Sequence, residues 1–287
     1  MTNVVVTGAT GNVGSQVVRE LRARGHSVRA LVRDPDRAAE RLGEGVQLAA
    51  GDLSDEAAVR RAMKGMDHAF IACANHPLKV QYETNVIDAA AAAGVQRVVK
   101  LSALGAEIGS PVAFWDAHGR IEQHLWASGL RTVVLQPSTY MTNVVGSAET
   151  VRHMGTLFAP ADDARIAMID PRDVGTGAAA VLTEDGHDGK TYVLTGPDPI
   201  SFAEIAGHLS EATGRTVEFV SVPDAAARQS MVDAGMPEWF ADNVAAVFGF
   251  LRQGIAAETT DTVKELTGAE PRSFADFARD HAGVFTG

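Results

Sequence analysis

The chain has 287 residues, 46% hydrophobic and 21% charged, with a formal charge of −11. That is enough chain to bury a core as one large domain or two smaller ones, and the acidic balance argues against nucleic acid, which selects clustered Lys and Arg. One cysteine, Cys73, makes neither an internal disulfide nor a multi-thiolate zinc site; with no basic leader and no apolar run near the ~20 residues that span a bilayer, the expectation is a cytoplasmic protein with no membrane partner.

In chain order, β-branched runs predict strands at Val4–Thr7, Ser27–Val32, Val46–Ala50, Ala69–Ala72, Val95–Leu101 and Arg131–Leu135. Between them, amphipathic segments predict helices at Val13–Arg24, Asp55–Lys64, Lys79–Ala93 and Ala117–Ser128. Such alternation makes an α/β fold: a doubly wound parallel sheet of the Rossmann type with helices on both faces. After Pro137 the rhythm changes to longer loops, a helix at Pro171–Thr183, the strand-like "KTYVLTG", a helix opened by a Ser201/Glu204 capping box, the strand "TVEFVSV" and a mostly helical remainder. The expected organisation is a nucleotide-binding domain over 1–155 and a smaller, mainly helical C-terminal domain over 156–287, with 165–196 returning to the sheet.

"VVVTGATGNVGSQVV" sets Gly8, Gly11 and Gly14 between a buried strand and an amphipathic helix. Gly8 permits a tight turn, Gly11 admits the backbone to a pyrophosphate, and Gly14 lets helix and strand pack closely, the phosphates meeting the positive helix end. The second strand ends on Arg33, which favours NADP (NADPH) over NAD because a guanidinium pairs with a 2′-phosphate. Arg37 adds either a second charge or only a solvated helix face. Asp34 either caps the next helix or meets a ribose. In "GDLSD", Asp52 suits the adenine amino group with Leu53 over the ring, or is simply a turn residue.

These stretches, with "LVRDP", "VVKLSALGA" and "GRIEQHLWASGL", resemble the NmrA-like group of atypical short-chain dehydrogenase/reductases over nearly the whole chain. The group includes triphenylmethane reductases, quinone reductases and NADP-sensing regulators. The resemblance implies nucleotide contacts at Gly8, Thr10, Gly11, Asn12, Gly14, Arg33, Asp52 and Leu53, and at Ala74 and Asn75 after the fourth strand.

Ordinary members of the wider superfamily use a tyrosine to protonate the substrate and a lysine four residues on to lower its pKa. Here "FWDAHGRIEQH" puts Phe114 and His118 in those places. His118 is read as contacting the nicotinamide ribose or the substrate, oriented by Glu122 one turn on, or else as a surface histidine. Ser102 matches the superfamily's catalytic serine position, or without the tyrosine only binds substrate or caps a turn, and Tyr140 completes the catalytic candidates. A histidine and a glutamate one turn apart without a third ligand give no metal site. Substrate candidates are His76, Trp115, Tyr140, Asn143 and Phe248; Trp115, Met231, Trp239 and Phe248 are read as apolar walls or as core.

Lacking a tyrosine donor, the chain suits hydride transfer to an acceptor that is already electrophilic: an aromatic, quinone-like or dye-like small molecule. The competing reading is a non-catalytic redox sensor that binds NADP(H) and acts through a protein partner. A monomer and a homodimer fit the sequence equally.

Overall fold

Val4, Val5 and Val6 are all completely buried, although successive residues of a strand face opposite ways. The computed structural model, which describes all 287 residues, gives the reason: strand β1 (Asn3–Val6) lies within a sheet covered on both faces. It is followed by β2 (Ser27–Val32), β3 (Gln47–Ala50), β4 (His68–Ile71), β5 (Arg97–Leu101) and β6 (Arg131–Pro137). Two short strands, β7 (Thr156–Ala159) and β8 (Arg165–Ile166), precede β9 (Lys190–Leu194), which joins the sheet beside β6. The order is β3-β2-β1-β4-β5-β6-β9 with every pairing parallel, the doubly wound arrangement that the alternation of elements implies.

Helices α1 (Asn12–Ala23), α2 (Pro35–Leu42), α3 (Glu56–Met63), α4 (Lys79–Ala92) and α5 (Ala113–Ala127) make the crossovers. Val4 and Val6 pack with Val13, Val17 and Leu21 of α1. Val5 packs on the other face with Val59 and Met63 of α3, Ile87 of α4 and Ile121 and Leu125 of α5. Strand β1 thus feeds two cores by its own period.

Two helix starts add to the sequence reading. Helix α2 was expected only as an unbounded helix after Asp34; Asp34 caps it by accepting from the Arg37 amide, and Pro35 occupies its first turn, so local chemistry rather than an apolar stripe defines it. Helix α5 starts at Ala113, not Ala117, after an extended Val112 that offers no capping side chain, so no start signal stood in the sequence.

Beyond β6, a 3-10 segment (Met141–Ser147) leads into α6 (Ala148–Met154), and α7 (Pro171–Thr183) crosses close to α1. A Cβ on Gly175 would stand 2.4 Å from Gln16 Cβ, so the close approach needs glycine there. The remaining elements are β10 (Ile200–Ser201), α8 (Phe202–Thr213), β11 (Glu218–Ser221), α9 (Asp224–Asp233), α10 (Glu238–Arg252), α11 (Thr262–Thr267), α12 (Phe274–Asp280) and α13 (Ala282–Thr286).

The Ser201–Glu204 capping box is present. The second half is mainly helical, and the strand expected in "TVEFVSV" is β11, which pairs with β7 while β10 pairs with β8 in two small sheets. Its own core gathers Met141, Leu157, Ile205, Leu209, Phe277 and Phe285. Helix α9 buries nothing fully and α10 only Ala241 and Leu251. This pair rests on α5 through Phe114 against Trp239 and Phe240, and through Trp115 against Phe250. No helix is long and apolar enough to cross a membrane.

Candidate active site

Because the strands are parallel, the segments after β1 to β6 emerge at one edge of the sheet, the usual place for a ligand crevice. The turn after β1 is shaped by its glycines. Gly8 has φ +62°, and a Cβ there would lie 2.8 Å from the Ala72 carbonyl oxygen; one on Gly14 would lie 2.1 Å from the Gly8 carbonyl oxygen. The Gly11 amide donates to that oxygen at 2.9 Å. Thr7 Oγ donates to the Ala72 carbonyl and accepts from its amide, both at 2.9 Å, tying the ends of β1 and β4 together. Gly11 caps α1 without a side-chain hydrogen bond, and the first turn holds no acid. The first amides of α1 therefore face outward, next to the exposed Gly8, Thr10, Gly11 and Asn12, and offer donors and a positive dipole end to an anion.

At the end of β2 the Arg33 side chain is 85% exposed, with Nε 4.0 Å from the Asp52 carboxylate. Asp34 caps α2 by accepting from the Arg37 amide, and both it and Arg37 are exposed. Asp52 Oδ1 accepts from Ser54 Oγ at 2.6 Å and from its amide at 2.9 Å, and these bonds hold the carboxyl below its ordinary range. Leu53 is half-buried against the α3/α4 core.

After β4, Ala74, Asn75 and His76 are exposed. The His76 ring stacks on Tyr82 with centroids 5.1 Å apart and accepts from the Leu78 amide at 3.0 Å. The segment after β6 reaches the glycine turn through Asn12 Nδ2 donating to Thr142 Oγ at 3.3 Å. Asn143 beside it is exposed. Tyr140 bridges to Ile169, and burial pushes its phenol far above the ordinary value.

His118 and Ser102 each find a partner other than the one the sequence suggested. His118 does not bond Glu122. Its Nδ1 lies 3.2 Å from Lys100 Nζ at the end of β5. Lys100 Nζ also donates to the Leu101 carbonyl and lies 2.8 Å from Glu83. Glu83 in turn stands 3.1 Å from Lys79 Nζ, which donates to the Cys73 carbonyl at 2.5 Å. Both lysines and Glu83 are sealed from solvent.

Burial pushes Lys100 down to about 8 against the opposing pull of Glu83, and burial with Lys100 and Lys79 holds His118 well below its ordinary value. Glu122 instead accepts from Ser102 Oγ and from Gln136 Nε2, the latter at 3.0 Å. It turns away because Ser102 and Gln136, at the ends of β5 and β6, fill its oxygens.

Phe114, in the tyrosine's place, packs edge-on to Trp239 at 5.9 Å. Trp115 covers Gly105 and meets Phe250. Phe248 packs on Phe202 in the second core. Lys79, Glu83, Lys100 and Gln136 were missed in sequence; the available signals were a lysine inside the otherwise apolar "VVKL" and the i,i+4 spacing of Lys79 and Glu83.

The NmrA-like family matches residues 1–278. The NAD(P)H azoreductase of Xenophilus azovorans is 36% identical over 98% of this chain and 99% of its own. A Streptomyces griseus (4-alkanoyl-5-oxo-2,5-dihydrofuran-3-yl)methyl phosphate reductase is 38% identical over 98% and 99%. Among solved structures, the NADPH complex of the Escherichia coli NADPH-dependent quinone oxidoreductase superposes with a TM-score of 0.87 at 28% identity, over 96% of this chain and 99% of that one.

Proposed function

The chain belongs to the NmrA-like family, and from that premise we propose that it is an NAD(P)H-dependent reductase that passes hydride to an electrophilic conjugated small molecule, such as an azo compound, a quinone or a cationic dye. The observation that carries this reading is the glycine turn: a cradle that side chains at Gly8 and Gly14 would fill, opening on a helix end with no side-chain cap. Those residues fit a dinucleotide diphosphate. The names borne by the relatives, an azoreductase, an unsaturated-lactone phosphate reductase and a quinone oxidoreductase, support acceptors in which a conjugated system takes up the negative charge.

When bound, the reduced nicotinamide supplies the hydride. The turn after β1 would hold the diphosphate, and Arg33, whose side chain is exposed, would meet a 2′-phosphate. Asn75, His76 and Asn143, exposed on the segments after β4 and β6, with the half-buried Tyr140, are the candidates to line the acceptor's side of the edge. Phe114 removes the tyrosine route, so the protein's part is to orient reactants and to supply a proton where the reduced acceptor needs one.

The test is NADPH oxidation, read from nicotinamide absorbance, with a panel of quinones, azo compounds and triarylmethane dyes. Consumption above the protein-free rate supports the reading. Tight NADPH binding without reduction of any acceptor overturns it in favour of a redox sensor. For cofactor choice, Arg33→Ala should remove one charge-assisted contact of about 1.5–3 kcal/mol and raise the NADPH Kd roughly 10- to 150-fold. The NADH Kd should stay within about threefold, and equal weakening of both nucleotides would defeat the assignment.

A further inference from the structure

Lys100 Nζ donates to the Leu101 carbonyl, lies 3.2 Å from His118 Nδ1 and forms an ion pair with Glu83 at 2.8 Å. An ammonium only donates, so Nδ1 must accept and the imidazole proton sits on Nε2. Nε2 has no protein partner and, unlike Ser138 Oγ, is not sealed from solvent. A buried ammonium thus stands behind a neutral ring that turns an N–H outward, at the sheet edge where Ser102 also lies.

We infer that Lys100 and His118 form a two-step proton relay that neutralises the reduced acceptor, His118 as the donor and Lys100 as the positioning residue that recharges it; this rests on the reductase reading above. The balance closes. A quinone that takes a hydride from a reduced nicotinamide gains two electrons and one hydrogen and holds an oxyanion; an azo group does the same on nitrogen. His118 gives its Nε2 proton to that anion, and Nδ1 takes a proton from the Lys100 ammonium, leaving a neutral amine. After product leaves, water protonates Nε2 and the Nδ1 proton returns to Lys100. A triarylmethane cation behaves differently, because hydride on its central carbon gives a neutral product and consumes no proton.

The groups facing Lys100 are Lys79 and Glu83 from α4, His118 and Glu122 from α5, and the Cys73 thiol after β4. Glu83 favours the ammonium while burial and Lys79 oppose it. The donor form of Lys100 therefore fills below a pH of about 8 and empties above it.

Two variants test the relay: Lys100→Arg, which keeps the charge but does not release a proton in the working range, and the charge-balanced pair Glu83→Gln with Lys100→Gln. In both, kcat for a benzoquinone or an azo dye should fall at least about tenfold more than kcat for a cationic triarylmethane dye. The wild-type quinone profile should decline above pH 8 or so, and Lys100→Arg should lose that decline. Independently of turnover, 15N shifts of the His118 ring in the wild type should report the Nε2–H tautomer throughout, with an inflection at Nδ1 near the same pH that is absent in the double variant.

Equal losses on both acceptor types, a wild-type pH profile in Lys100→Arg, or a proton on Nδ1 would overturn the relay. Failure of every acceptor would defeat the reductase reading instead, and the histidine spectrum would still decide whether the pair is built as inferred.

Discussion

Gly14→Ala should abolish useful dinucleotide binding while leaving a folded protein. The added Cβ would stand 2.1 Å from the Gly8 carbonyl oxygen, 2.8 Å from its carbonyl carbon and 3.0 Å from Ala9 Cα. All three are backbone atoms, so no side-chain rotation relieves the clash, and α1 has to back away from the turn. Overpacking of this kind costs about 1–3 kcal/mol of stability. The larger effect is on the ligand, because the amides at the start of α1 move with the helix. The NADPH Kd should rise at least about 100-fold, equivalent to about 2.8 kcal/mol. Gly207→Ala, in α8 with nothing within 4 Å of the new Cβ, is the control: unchanged binding and up to about 1 kcal/mol of added stability. Equilibrium titration and denaturant melts of the two variants check both parts, and wild-type affinity in Gly14→Ala would show that the turn does not hold the diphosphate.

The second large effect is expected at Glu83, whose carboxylate is the counterion of two buried ammonium groups. Glu83→Ala leaves Lys79 and Lys100 facing each other without it. Removing one member of a buried ion cluster costs about 3–5 kcal/mol, because the desolvation of the remaining charges is no longer offset. The loss should depend on pH in a definite direction. Lys100 is already depressed to about 8 in the folded chain, and without Glu83 it falls further.

Through the window between the folded value and the ordinary lysine value, the unfolded chain binds more protons than the folded one, so stability rises with pH. The variant should therefore be weakest near pH 6 and recover part of its deficit by about pH 9–10. Urea melts across that range measure it. A loss below about 1 kcal/mol, flat with pH, would show that the cluster does not carry its charges in the folded state.

What the sequence made legible divides by the kind of signal. Strands such as Ser27–Val32 and the helix Pro171–Thr183 were readable because β-branched runs, Pro171 and amphipathic spacing are local properties. The glycine turn was readable because a tight turn, a close approach and a close packing each demand the absence of a side chain at a fixed offset. Helix α2 was legible only at its start, because one Asp cap and one Pro define it and no apolar stripe sets its length, and the early start of α5 escaped because Val112 signals nothing.

The Lys79–Glu83–Lys100 cluster escaped for a different reason. Lysine and glutamate in an amphipathic segment ordinarily mark a solvated face, and only the tertiary fold turns α4 so that Glu83 meets a lysine from β5. The pairing of His118 with Glu122 was a helical-spacing argument. Spacing places two residues on one face but says nothing of competitors from neighbouring strands, and here Ser102 and Gln136 take the carboxylate while Lys100 takes the ring.

The account stands on the turn between β1 and α1 gripping a dinucleotide, and a calorimetric titration of the wild-type chain with NADPH, repeated with NADH, addresses it directly. The expected result is one site per chain with an NADPH Kd of about 1–100 μM, at least about tenfold tighter than NADH, consistent with an exposed arginine at the end of β2. Absence of heat with both nucleotides would contradict it.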